Sequence, residues 1–105
     1  MRAVNAWTEV LALTERMLDA ARRSDWDGLV GLEQQRGKLI EEIGTLEQDP
    51  ATARSHRDRK RALIQGIMGR DEEIRLLTQD WMRELREILA SVNTEQRLSK
   101  TYSQS

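Results

Sequence analysis

Ser24-Asp25-Trp26-Asp27-Gly28-Leu29-Val30-Gly31-Leu32-Glu33-Gln34-Gln35-Arg36-Gly37-Lys38-Leu39-Ile40 is a turn that becomes the start of a helix. Ser24, with Asp27 three residues on, offers a side-chain acceptor at the N-cap, and two carboxylates fall in the first turn where the helix dipole favours them. Leu29, Leu32, Leu39, Ile43 and Leu46 then recur at helical spacing, so one face is apolar while Glu33, Gln34, Lys38, Glu41 and Glu42 make the other polar. A helix of that kind needs cover from apolar faces elsewhere in the chain.

The flanking segments can supply it. Upstream, Val4, Trp7, Val10, Leu11, Leu13, Met17, Leu18 and Ala21 form one broad stripe and predict a first helix over 3–23. The link Arg22-Arg23-Ser24-Asp25 puts cations at one helix end and a cap at the next start, and so short a connection makes the two helices antiparallel neighbours. The second helix is expected over 25–48. It contains Gly28, Gly31, Gly37 and Gly44, each costing about 1 kcal/mol against Ala, which calls for close approach of a neighbouring backbone or else marks a loosely stable helix.

Asp49-Pro50 ends that helix, and Ser55 with Asp58 offers the next cap. Leu63, Ile64, Ile67, Met68, Ile74, Leu77, Trp81, Leu85, Ile88, Leu89 and Val92 then hold one period, which predicts a third helix over 55–93. Unbroken, it would be about 55 Å long, more than two shorter partners can cover. Either it bends or breaks near Gly66–Asp71 and folds back, or it stays long and its uncovered half meets another molecule. Residues 94–105 are polar, with Leu98 and Tyr102 as the only anchors, and are expected to form a weak short helix or tail. The fold class is thus all-α, an antiparallel bundle of three main helices in a single domain over 1–105.

Composition agrees, since 33% of residues are charged and there is no Phe, one Pro and one Tyr, which suits solvated helices and leaves no β-branched or aromatic runs for strands. Without cysteine there is no disulfide framework and no sulfur-ligated zinc site. Glu9, Glu15, Arg16 and Asp19 interrupt any signal-peptide core, and no run approaches the length of a spanning helix, so a cytoplasmic protein without stable membrane insertion is expected. The net charge of −1 gives no global attraction to nucleic acid, which is not expected as a partner.

Nothing in the chain suggests catalysis. His56 is the only histidine, no pair of residues has metal-ligand spacing on a helix, and no Gly-rich phosphate loop or nucleophile with a base is present, so no catalytic residue, metal or cofactor is expected. Arg54, Arg57, Arg59, Lys60 and Arg61 stand against Asp58 alone, leaving +4 over eight residues. This reads as a solvated face or as a docking patch for an acidic partner; with no interleaved aromatic it is poorly made for nucleic acid. Trp7, Trp26 and Trp81 lie on or beside apolar stripes and default to burial, with Trp81 the one placed where cover is least assured. Arg36 falls between Leu32 and Leu39 and is expected to snorkel toward Glu33, with an interhelical pair as the alternative.

Leu13-Thr14-Glu15-Arg16-Met17-Leu18-Asp19-Ala20-Ala21, the Ser24-Asp25-Trp26-Asp27 turn, and Leu29, Leu32-Glu33, Arg36 and Leu39-Ile40 together resemble the N-terminal half of the FliT family of flagellar export chaperones. Asp71 to Leu89 resembles the family's third helix in pattern, and Leu98 to Tyr102 its C-terminal segment. The resemblance implies an all-helical cytoplasmic protein that binds the flagellar filament cap protein (hook-associated protein 2) before type III export. It also implies contact with the export ATPase complex and export gate and, in some members, with the flagellar master transcription regulator. Tyr102 matches the one aromatic of the C-terminal segment and is carried over as a candidate contact.

An amphipathic helix formed by the client's terminus would lie in an apolar groove, with Leu39, Ile43, Leu63, Ile67, Ile74, Leu77, Trp81 and Leu85 as the lining candidates. Two other readings stay open. One is a coiled-coil homodimeric scaffold with the third helix as its seam, and the other a small nucleic-acid-binding regulator using Arg54 to Arg61.

Overall fold

A computed structural model describes residues 2–48, 50–54 and 56–103, with side chains described for all of these except 2, 52, 53 and 98–103. Every described element is helical: α1 (Arg2–Arg22), α2 (Trp26–Leu46), the one-turn α3 (Pro50–Arg54) and α4 (Arg57–Ser103). The chain divides into two compact units, residues 1–75 and residues 76–105.

In the first unit α1 and α2 pack side by side, joined by a turn that departs from the expected cap. The N–H of Ser24 donates to Ala21 O at 3.1 Å and that of Asp25 to Ala20 O at 2.8 Å, with Ser24 at φ 58°. This is a Schellman closure of α1, and it uses Ser24 at the left-handed position where glycine usually sits. The cap of α2 therefore falls one residue later. Asp25 Oδ1 accepts from the Gly28 N–H at 3.0 Å.

Gly28 has a reason to lack a side chain: a Cβ there would stand 2.3 Å from the capping carboxylate of Asp25. Around Gly31, Gly37 and Gly44, by contrast, a Cβ would meet nothing within 4 Å, so no neighbouring backbone approaches them. The helix carries those three at a cost in propensity that packing does not repay. The triple variant Gly31→Ala/Gly37→Ala/Gly44→Ala should therefore raise stability to denaturant by about 2–3 kcal/mol, and Gly28→Ala should lower it, both read from urea midpoints.

Val10 of α1, Ile43 of α2 and Ile67 of α4 form the central buried cluster, with Ala6, Trp7, Leu11 and Leu39 packed around it. On one side of this layer Glu47, the C-cap of α2, accepts from Trp7 Nε1–H at 3.2 Å and from Lys60 Nζ at 3.0 Å. On the other, one guanidinium nitrogen of Arg36 donates to Thr14 Oγ1 at 3.1 Å and to Asp71 Oδ1 at 2.6 Å. The fully buried Thr14 hydroxyl in turn donates to Val10 O at 2.7 Å. Arg36 is thus an interhelical clamp, and the partner expected for it, Glu33, is replaced by a carboxylate on α4. Each polar tie meets groups from all three long helices, which fixes their relative register around the apolar layer.

Two exposed pairs, Glu15 with Arg70 at 3.1 Å and Arg22 with Glu73 at 2.5 Å, add links between α1 and α4 that solvent screens. Nearby, hydrogen bonds from Arg75 hold the exposed Glu72 carboxyl below its usual range. α4 runs without a break through Gly66–Asp71, so of the two courses open to it the continuous one is taken. No separate element follows Asn93, because α4 continues to Ser103. Ser55, the expected cap residue, lies outside the described residues.

Candidate partner-binding surface

Residues 76–103 of α4 make up the described part of the second unit. At 3.6 residues per turn, Leu77, Trp81, Leu85, Ile88 and Val92 fall within one narrow stripe about 22 Å long. Their spacing in the sequence continues that of Leu63, Ile67 and Ile74. Burial differs sharply between the two sets. Ile67 and Ile74 are buried and Leu63 half-buried, whereas among the described side chains of the second unit none is buried.

Leu77, Trp81 and Leu85 are half-buried, and Ile88 and Val92 are 60% and 42% exposed. Leu89, at 53%, widens the stripe at its distal end, and Leu76 and Met82 add exposed apolar surface outside it. Elsewhere on this helix several polar side chains are held locally. Arg83 pairs with Asp80 at 2.5 Å, Arg86 Nε donates to Met82 O at 3.3 Å, and the Thr94 hydroxyl bonds back to Ala90 O at 3.0 Å. Over this stretch the helix is therefore amphipathic, its described apolar residues patterned as in a core yet none of them buried. Contiguous apolar surface of that kind marks a place where another molecule packs.

Of the residues singled out from sequence, Leu39, Ile43 and Ile67 come together in the core cluster of the first unit, and Ile74 is buried in that unit as well. Leu77, Trp81 and Leu85 share the stripe of the second unit. The side chain of Tyr102 lies outside the described residues. Ile88 and Val92 belong to the stripe and were not among the lining candidates, although the period that identifies Trp81 runs straight through them. Of the other two tryptophans, Trp7 is half-buried against the core and bonded to Glu47, and Trp26, the first residue of α2, is also half-buried.

Among the described residues there is no group of three or more His, Asp or Glu side chains able to hold a metal, and no helix long and apolar enough to cross a membrane. His56 stands exposed in the turn before α4, at φ 55°.

Residues 4–104 match the family model described as "Flagellar protein FliT". Among curated proteins the chain is 29% identical over 104 residues to the flagellar protein FliT of Photorhabdus laumondii, covering 99% of this chain and 83% of that one. It is 26% identical over 101 residues to the flagellar protein FliT of Yersinia enterocolitica, covering 96% and 84%. No solved structure matches.

Proposed function

We propose, from the premise that this chain belongs to the FliT family of flagellar proteins, that it is a cytoplasmic export chaperone for the flagellar filament cap protein. In this reading it binds the C-terminal region of that protein and carries it to the type III export apparatus, where it meets the export ATPase complex and the export gate. The observation that carries the reading is the apolar stripe of the second unit, Leu77, Trp81, Leu85, Ile88 and Val92. Its periodicity is that of a helix packing against another helix, and its exposure leaves room for one.

A client segment that is disordered when free would fold onto the stripe, covering its own apolar residues and those of the chaperone together. The ordering cost keeps such binding reversible, as a carrier that must release its passenger requires. The first unit serves as the scaffold. Its core and its two polar ties are complete within residues 1–75, so occupancy of the stripe need not disturb them.

Calorimetric titration with the C-terminal region of the cap protein tests this. Saturable binding with a negative heat-capacity change is expected, because apolar area leaves water. Absence of heat at every temperature tried, with a folded client segment excluded by circular dichroism, would remove the cap protein as the client. The same stripe has the character of a self-association seam, so a homodimer is the second reading. Sedimentation across protein concentration separates the two, since a dimer that persists undiminished when client is added would favour the seam.

A further inference from the structure

The basic cluster at the start of α4 lies in the first unit and plays no part in the stripe. Arg54 closes α3, and Arg57, Arg59, Lys60 and Arg61 occupy the first five positions of α4 together with Asp58. Lys60 is accounted for, being turned to Glu47. The four arginines are exposed, and among the described residues none of them has an ion-pair partner. Arg22, Arg23, Arg36, Arg70, Arg75 and Arg83 are each paired with a carboxylate, while among the described residues the exposed Arg16 and Arg86 are scattered singly without one.

Folding explains only part of the cluster: Arg54 ends α3 and donates from Nε to Pro50 O at 3.3 Å, whereas cations in the first turn of α4 oppose its dipole. Arg57 and Arg61 are one turn apart on the same side of α4, where two planar forks can each take a carboxylate in bidentate fashion, a geometry lysine does not provide. We propose that Arg57 and Arg61, the pair on one side of α4, form a docking site for a short acidic segment of a partner protein, separate from the apolar stripe.

Size and charge select that class of partner. Arg57 and Arg61 span about one helical turn, enough for a few carboxylates and too little to follow a duplex. Since residues 54–61 hold five cations and one carboxylate in a chain of net charge −1, the remainder carries −5 and is repelled by an extended polyanion. The exposed aliphatic or aromatic anchors that would dip into a bilayer beside a basic helix are missing among residues 54–61.

The test is fluorescence anisotropy of a labelled twelve-residue peptide bearing six Glu and Asp residues, with a Gln and Asn version as control, titrated with the full chain. The acidic peptide should bind, the control should not, and added salt should weaken the complex. Arg57→Glu/Arg61→Glu should weaken binding at least about tenfold while the melting temperature stays level or rises, because the change favours the helix dipole. Arg59→Glu, on the opposite side of α4, should weaken binding less, and Arg57→Lys/Arg61→Lys should fall between the wild type and the charge-reversed pair. The proposal is overturned by wild-type protein that ignores the acidic peptide, by a charge-reversed pair that binds it unchanged, or by a drop in melting temperature that tracks the loss. It is equally overturned if the chain binds phosphatidylserine vesicles or a DNA duplex more tightly than the peptide.

Discussion

Ile43→Ala is expected to destabilise the protein by about 3 kcal/mol, lowering the melting temperature by at least about 10 °C, whereas Ile88→Ala should change stability by no more than about 0.5 kcal/mol. The chemical deletion is the same in both. Ile43 is 2% exposed and sits between Val10 and Ile67 with Leu39 and Trp7 against the cluster, so removing three carbons leaves a cavity that close-packed helices cannot collapse. Ile88 is 60% exposed and loses little that water does not already touch. Thermal and urea unfolding of the two variants side by side measures how far the apolar period of the chain is spent on its own fold. Equal losses would mean that the stripe of the second unit is as much a part of the folded core as the first unit's cluster.

The second large effect is on binding. Trp81→Ala combined with Ile88→Ala should weaken the complex with the cap protein's C-terminal region by about a hundredfold or more, since a central tryptophan and its apolar neighbour are the kind of residues on which interface energy concentrates. Stability should change much less, because neither side chain is buried. Ile43→Ala supplies the opposite pattern, a lowered melting temperature with affinity retained at temperatures where the variant is folded. A double variant that loses stability and keeps its affinity would place the client elsewhere.

The period of three and four residues was enough to read three long helices, their antiparallel start and the apolar run from Leu63 to Val92. What sequence could not resolve was which of two physically adequate partners a polar group takes. Arg36 has Glu33 one turn away, yet it pairs with Asp71, a residue 35 positions distant whose approach depends on how α4 is laid against α2. The cap shifted from Ser24 to Asp25 for a similar reason: closing α1 requires a left-handed residue, and Ser24 takes that conformation without the glycine that would have announced it. Glycines in α2 were legible as a cost but not as to cause, because a clash with the Asp25 carboxylate explains Gly28 while open space surrounds Gly31, Gly37 and Gly44. At the candidate surface, period alone could not separate core from stripe. Ile67 and Trp81 carry the same signature, and only the burial of the first unit distinguishes them.

Amide hydrogen exchange over residues 77–92, with and without the cap protein's C-terminal region, separates a stripe kept free for a client from one spent on the fold. Fast exchange is expected in the free protein at low concentration, well ahead of the segments around Val10 and Ile43, with slowing confined to the stripe when the client is added. Protection of the stripe already present in the free monomer, or protection that follows the protein's own concentration and ignores the client, would contradict a stripe kept free.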